Sequence, residues 1–83
     1  MTVAEQFGAN LRRHRRIARL SQEQTAVRAS LHRTEVGLLE NGRRVPRIDT
    51  VMKLAAALEI GVASLMEGIE WLPGEVRRGQ FWG

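Results

Sequence analysis

The sequence has 83 residues, no cysteine and a net charge of +4 at pH 7, which leaves room for one compact domain and excludes disulfides, thiolate metal sites and cysteine nucleophiles. The positive charge lies in one part of the chain: residues 1–58 carry eleven Arg and Lys against five Asp and Glu, whereas residues 59–83 carry two against four. No apolar run approaches the roughly 20 residues that span a bilayer, and the N-terminus lacks the basic-then-apolar pattern of a secretion signal. We therefore expect a soluble, cytoplasmic protein without membrane contact, and the basic segment makes a polyanion a candidate partner.

The first predicted element is an amphipathic helix from Val3 to about Arg19. Apolar Phe7, Leu11 and Ala18 recur at spacings of four and seven residues, which places them on one face of a helix. The other faces are strongly basic and carry Arg12, Arg13, Arg15, Arg16 and Arg19. Charge alone is compatible with a polyanion-binding surface and with an ordinary solvated helix, and both interpretations stay open at this point.

A second, shorter helix is predicted from Gln22 to about Ala29. Ser21 can cap its first turn, and Gln24 can complete a capping box by reaching back to the backbone of Ser21. Three residues of this helix are expected to face inward: Thr25, Ala26 and Ala29.

A tight turn and a third helix follow. Residues 30–32 form the predicted turn, and its only apolar residue, Leu31, is expected to plug the core. The helix is predicted from Arg33 to about Asn41, because Asn41-Gly42 is a typical stop signal. Val36 and Leu39 would be buried, which leaves four residues facing out: Arg33, Thr34, Gly37 and Leu38.

Two further helices are predicted after a basic loop at residues 42–47. A strongly apolar fourth helix is indicated by Ile48, Val51, Met52, Leu54, Ala55 and Leu58. A short fifth helix from about Val62 to Glu67 places Leu65 and Met66 on the same core. We therefore expect residues 1–67 to form one all-α domain.

The last segment, residues 68–83, differs in character from the rest. Its proline and glycines exclude a long helix, and two extended pieces around a turn at Pro73-Gly74 are predicted. It holds three of the four aromatic residues of the chain: Trp71, Phe81 and Trp82. These side chains either cover the core of their own domain or form a dimer contact, and the sequence favours neither.

The second and third predicted helices have the features that a helix-turn-helix requires. Ala26 is small enough for the two helices to cross closely, and Leu31 can anchor the turn in the core. The third helix would then present Arg33 and Thr34 to base edges, while Gln22 at the start of the second helix would face a phosphate.

A set of motifs spread over residues 7–67 resembles the phage Cro and repressor family of helix-turn-helix domains, often called the xenobiotic-response-element type. These motifs are Leu20-Ser21-Gln22-Glu23, Ala26, Ala29-Ser30-Leu31, Val36, Leu39-Glu40-Asn41-Gly42, Arg44, Pro46, Thr50 and Leu54-Ala55-x-Ala57-Leu58. The resemblance implies a compact five-helix lambda-repressor-like domain, usually dimeric on a partly palindromic operator, that regulates transcription.

The resemblance also implies roles for individual residues. The positions that match the base-reading face of the family are Arg33, Thr34, Gly37 and Leu38. Gln22 matches a residue that contacts a phosphate at the start of helix 2. Arg43 matches a residue that often touches the DNA backbone or the minor groove, and basic Arg44 beside it is a further candidate for a phosphate contact. Arg15 and Glu40 match a pair that commonly forms a salt bridge between helices 1 and 3.

Four residues depart from the pattern of the family. Ser30 stands where the turn usually has glycine, so the turn either avoids a positive φ or bears a modest strain. His32 replaces the usual Ser or Thr cap and can contact a phosphate instead. Gly37 and Leu38 replace residues that are often polar, so base recognition is expected to rest mainly on Arg33 and Thr34.

We therefore predict a sequence-specific regulator of transcription, a repressor rather than an activator, that binds double-stranded DNA as a homodimer. The alternative is an antitoxin-like protein that binds a protein partner through residues 68–83. His14 and His32 have no carboxylate or cysteine at ligand spacing, so we expect no metal site and no cofactor. We also expect no enzymatic activity, because the sequence offers no nucleophile–base pair and no phosphate-binding glycine loop.

Overall fold

The computed structural model describes residues 1–71 and 73. It contains five helices: α1 (Val3–Ile17), α2 (Gln22–Ala29), α3 (Arg33–Glu40), α4 (Ile48–Ala57) and α5 (Val62–Leu65). Helix α3 packs against α1 and α2, α4 packs against α2 and α5, and α5 also packs against α1. No strand occurs in the described ranges, and the predicted all-α, five-helix domain is confirmed.

The first two helices begin at reciprocal capping boxes. At α2, the backbone N–H of Gln24 donates to Ser21 Oγ at 2.9 Å, and the backbone N–H of Ser21 donates to Gln24 Oε1 at 2.8 Å, as predicted. Thr2 and Glu5 form the same arrangement at α1. Helix α3 starts differently, because its N-cap residue His32 forms no side-chain cap hydrogen bond.

The core lies where α1, α3, α4 and α5 converge. Leu11, Val36, Leu39, Leu54 and Leu65 are each 0% exposed, and Phe7 is 1% exposed. Burying one such side chain stabilises a protein by about 1.5–3 kcal/mol. The inward positions predicted for α2 and α3 are confirmed, and Leu31 is partly buried against this core, as predicted.

Four residues predicted to join the core do not. On α4, Ile48 and Met52 are 82% and 60% exposed, because they lie on the side of the helix that faces away from the core. The other two lie at helix ends. Ala18 is exposed because α1 ends at Ile17 and the chain enters the left-handed region at Arg19, with φ 60°. Met66 is 42% exposed because α5 ends at Leu65 rather than near Glu67. In both cases the apolar spacing continues after the helix itself has ended.

The turn between α2 and α3 has a positive φ at Ser30, which is the second of the two possibilities that the sequence left open. Ser30 adopts φ 56° and ψ 43°, in the left-handed region where a serine side chain is disfavoured relative to glycine. The stop of α3 is ordinary by comparison, since Gly42 adopts φ 67° as a glycine does readily. The tight turn between α2 and α3 therefore includes modest backbone strain at Ser30.

A buried amide that the sequence analysis did not single out ties α5 to α1. Asn10 is 0% exposed, and its Nδ2 donates to the carbonyl oxygens of Leu65 at 2.9 Å and Glu67 at 2.7 Å. Its Oδ1 accepts from Gln6 Nε2 at 3.1 Å. A buried polar group is tolerated only when it is satisfied in this way, and Asn10 thereby fixes the end of the short helix α5.

A glycine allows α1 to approach α3 at backbone distance. A Cβ on Gly8 would lie 2.3 Å from the carbonyl oxygen of Leu39 and 2.8 Å from that of Glu40. No side chain fits in that space, so Gly8 is what brings α1 against the C-terminal end of α3.

The described part of the C-terminal segment begins on the core and then leaves it. Ile69 is partly buried against the core, whereas Trp71 is 83% exposed. Phe81 and Trp82, and the predicted turn at Pro73-Gly74, lie outside the described residues apart from Pro73 itself. None of the helices in the described ranges has the length and apolar character needed to cross a membrane.

Candidate nucleic-acid interface

The unit formed by α2, the turn and α3 is held by its backbone and by small buried residues. Ala26 and Ala29 are each 2% exposed, which lets the helices approach closely. The backbone N–H of Leu31 donates to the carbonyl of Ala26 at 2.8 Å, and that of Ser30 donates to Val27 at 3.2 Å. These contacts set the position of α3 relative to α2.

The outward side of α3 carries the residues predicted to read bases. Arg33 and Thr34 are exposed, whereas Gly37 and Leu38 are half-buried. The guanidinium of Arg33 lies 3.9 Å from a carboxylate oxygen of Glu23, and both side chains are about 70% exposed. A solvent-exposed pair of this kind contributes little, so Arg33 stays available to a ligand.

The opposite end of α3 is anchored by a buried carboxylate. The side chain of Glu40 is 0% exposed, and its Oε1 accepts from Arg15 Nη2 at 3.0 Å, Arg12 Nε at 3.3 Å and Gln22 Nε2 at 3.2 Å. Arg15 Nε donates to Oε2 of the same group, and Arg15 Nη1 donates to the carbonyl of Leu20 at 2.9 Å. The predicted pair of Arg15 and Glu40 is therefore present, within a larger group of side chains that we call the Glu40 cluster: Arg12, Arg15, Gln22 and Glu40.

The Glu40 cluster is stable in its charged form. Burial alone would raise the pKa of Glu40, but hydrogen bonds from Arg15 and Gln22 and the charge of Arg15 outweigh it, so its pKa lies below the ordinary value of 4.5. The hydrogen bond to Glu40 raises the pKa of Arg15 in turn. The carboxylate is therefore ionised at neutral pH and joins helices α1, α2 and α3.

The predicted phosphate contacts lie on three parts of the structure. His32 is exposed at the start of α3, and Arg43 is exposed in the loop after it. Arg44, in the same loop, donates to Glu35 Oε1 at 2.7 Å. Gln22 is half-buried at the start of α2 with its amide nitrogen on Glu40, and all four phosphate contacts stay predictions.

Sequence reasoning missed several partners of these residues. Nothing in the local pattern indicated that Arg12 and Gln22 would join Glu40, or that Glu35 would pair with Arg44. The one usable signal was the presence of Gln22 and Glu40 in the same set of motifs.

Comparison with known proteins decides the family. Residues 6–66 match the sequence family described as a helix-turn-helix domain. The chain belongs to this helix-turn-helix family. The predicted membership is confirmed.

Two relatives of known sequence are similar over most of the chain. The control protein C.SmaI of Serratia marcescens is 39% identical over 66 residues, which cover 80% of this chain and 79% of that protein. The uncharacterized HTH-type transcriptional regulator RghRB of Bacillus subtilis strain 168 is 36% identical over 75 residues, which cover 86% of this chain and 54% of that protein.

Solved structures agree with the helix-turn-helix assignment. The restriction-modification controller protein C.AhdI from Aeromonas hydrophila is 39% identical with a TM-score of 0.73, covering 75% of this chain and 94% of its own. The clp gene regulator ClgR from C. glutamicum has a TM-score of 0.75, with 78% of this chain and 84% of its own covered, and at 23% identity it supports the fold alone. The predicted function class, a DNA-binding regulator of transcription, is confirmed at the level of the family.

Proposed function

We propose that the chain is a transcriptional repressor that binds a partly palindromic operator in double-stranded DNA as a homodimer, with α3 in the major groove. The observation that carries this proposal is the division of α3 into a buried side, where Val36 and Leu39 are fully covered, and an outward side that begins with exposed Arg33 and Thr34. In this docking geometry the first residues of the recognition helix reach the base edges. The site of action would be the cytoplasm, where the operator DNA lies.

The proposal gives roles to the residues around α3. Arg33 would bind guanine through two hydrogen bonds, and Leu38 would pack on a thymine methyl or a neighbouring surface. The full base-reading set is Arg33, Thr34, Gly37 and Leu38, and the phosphate-contacting set is Gln22, His32, Arg43 and Arg44. Arg44 would exchange Glu35 for a phosphate, since its ion pair is partly exposed and weak.

The antitoxin-like alternative receives less support. The relatives named above are control or controller proteins and a transcriptional regulator, and the excess of Arg and Lys lies in residues 1–58 rather than in residues 59–83. We therefore assign DNA binding as the main role, with no catalytic step and no cofactor.

The test of DNA recognition is selection of bound sequences from random DNA, followed by competition between the selected operator and unrelated DNA. Arg33→Ala should abolish the preference for the operator and leave weak, salt-sensitive binding. Arg13→Ala is the matched control, because it removes the same charge from a side chain that pairs with Glu67 at 2.9 Å, beside α5 rather than α3. Unchanged discrimination by Arg33→Ala would remove Arg33 from the base-reading set.

Exposed apolar residues offer two surfaces for the proposed dimer. Trp71, at the start of the segment 68–83, is 83% exposed, and we propose this segment as a dimerisation element beside the DNA-binding domain at residues 1–67. A second set of exposed apolar residues lies on α4, on α5 and directly after α5: Ile48, Met52, Ala56, Val62 and Met66. A twofold dimer would place two copies of α3 about 34 Å apart if the half-sites are one helical turn apart.

Sedimentation of wild type, of a chain that lacks residues 69–83 and of Met52→Glu tests whether the protein is a dimer and which surface forms it. Deletion of residues 69–83 should lower the dimeric fraction. Met52→Glu places a charge on the exposed apolar side of α4 and tests that surface for comparison. If only Met52→Glu produces monomers, the dimer forms through α4. If the shortened chain stays dimeric and loses a co-purifying protein, the antitoxin-like role gains the support it lacks.

A further inference from the structure

The orientation of the Gln22 amide is determined by chemistry. Its nitrogen lies 3.2 Å from Glu40 Oε1, and an ionised carboxylate can only accept hydrogen bonds. Because Arg15 and Arg12 keep Glu40 charged and in place, the NH2 group of Gln22 must face Glu40. The amide oxygen must therefore face the other way.

That other direction leads to the outward side of α3. A Cβ built on Gly37 would lie 3.7 Å from Gln22 Oε1, an ordinary van der Waals distance. The oxygen thus lies beside the place where a side chain at position 37 would begin. Since residue 37 is glycine, that space is open.

The open space lies in a part of the reading side that has few hydrogen-bonding groups of its own. Gly37 has no side chain, and Leu38 has only an apolar one. Gln22 Oε1 is an acceptor held next to position 37. In the major groove, the groups that donate to an acceptor are the exocyclic amines of adenine and cytosine.

We propose that Gln22 is a specificity-determining residue, whose Oε1 accepts a hydrogen bond from the exocyclic amine of an adenine or cytosine through the space left by Gly37. This inference rests on the proposed function, since it requires α3 to lie in the major groove. It differs from a phosphate contact of the side chain, because phosphate oxygens are acceptors and cannot pair with Oε1. The phosphate contact proposed above for Gln22 would then be made by its backbone N–H at the start of α2.

The Glu40 cluster gives this contact its precision. Three helices contribute to it, and its carboxylate is fully buried. A side chain already held in its bound orientation loses less conformational freedom on binding. Arg15 and Glu40 are positioning residues in this scheme, and neither touches DNA.

The experiment compares wild type with Gln22→Lys and Gln22→Met by selection from random DNA, followed by affinities for the selected operator and its single-base-pair variants. Lysine keeps a donor for Glu40 and gains a charge for phosphate but has no acceptor, and methionine keeps the length of the side chain without either polar group. At one base pair in each half-site, both variants should lose the preference for adenine or cytosine on one particular strand. The expected loss is a factor of roughly 5 to 10, the low end for a base contact, because a single hydrogen bond is involved. Preferences at the other base pairs should persist.

Three results would overturn the inference. One is a change in affinity of equal size for every sequence, which is the behaviour of a phosphate contact. Another is an unchanged preference in both variants, and the third is a loss of preference at every base pair of the half-site instead of at one. A wild-type protein that selects no sequence at all would instead contradict the proposed function.

Position 37 provides an independent arm if either Gln22 variant unfolds on heating before wild type. Gly37→Leu keeps the hydrogen bond between Gln22 and Glu40 but fills the open space, and it should lose the preference at that same base pair. Retention of that preference in Gly37→Leu would overturn the inference.

Discussion

The two ends of α3 are built on opposite principles. At its C-terminal end Leu39 and Glu40 are buried, and α1 reaches them with two arginines and with the backbone beside Gly8. At its N-terminal end Arg33 and Thr34 are exposed, and the N-cap His32 makes no side-chain cap. The buried contacts that hold α3 are concentrated at its C-terminal end, away from Arg33 and Thr34 at the end proposed to read bases.

The largest effect is expected from breaking the anchored end at its ion pair. Arg15→Ala leaves Glu40 buried with only Arg12 and Gln22 as donors, and we expect a loss of about 3 kcal/mol, the low end for breaking a buried pair. Urea unfolding measures it. Arg13→Ala, which breaks an exposed pair with Glu67, should cost less than about 1 kcal/mol. Equal losses in the two variants would show that the Glu40 cluster does not anchor α3.

The next largest effect is expected at the close approach of α1 to α3. Gly8→Ala places a Cβ against backbone carbonyls that cannot move independently, and overpacking of this kind costs about 2 kcal/mol. Gly37→Ala is the matched control, because it adds the same atom to a helix with open space around it. There the helix propensity of alanine should raise the free energy of unfolding by up to about 1 kcal/mol, and a loss at position 37 would contradict the open space that the structure gives it.

A feature of the fold was predictable when the residues that form it lie close together in the sequence. The capping box of Ser21 and Gln24 and the stop at Asn41-Gly42 depend on residues a few positions apart, so the sequence predicts them. Asn10 and Gly8 were missed because each acts on residues more than 30 positions away. Ala18 and Met66 were misplaced because apolar spacing carries no information about where a helix ends.

The candidate site shows the same division. The roles proposed for Arg33 and Thr34 follow from their place at the start of a predicted helix, and the pair of Arg15 and Glu40 follows from matching motifs. The orientation of Gln22 depends on a carboxylate 18 positions away. No local pattern contains that information.

A smaller effect is expected from acid, and within α3 it arises at the anchored C-terminal end, at Glu40. Because the pKa of Glu40 is lower in the folded protein than its ordinary value of 4.5, the folded state binds fewer protons there than the unfolded chain. The stability from this group is complete above pH 4.5 and is lost as the pH falls through the folded pKa. Glu5 has a lowered pKa as well, through its hydrogen bonds to Thr2, so the measurement must separate the two.

The difference between wild type and Glu40→Gln isolates the contribution of Glu40. Denaturant unfolding of both proteins between pH 3 and pH 7 should show a gap that narrows below about pH 4.5, since the variant has no proton to gain at position 40. A gap of constant size would contradict the lowered pKa.

The smallest effect is expected at the exposed N-terminal end of α3, where a substitution can raise the stability of the helix and weaken DNA binding. His32→Ser supplies the side-chain cap that α3 lacks, and a serine cap stabilises a helix by about 1 kcal/mol. The variant should therefore unfold at a higher denaturant concentration while binding the selected operator more weakly, because a candidate phosphate contact is gone. A variant that is both more stable and equally tight on DNA would show that His32 has no role in binding. The DNA contacts proposed for α3 would then begin at Arg33.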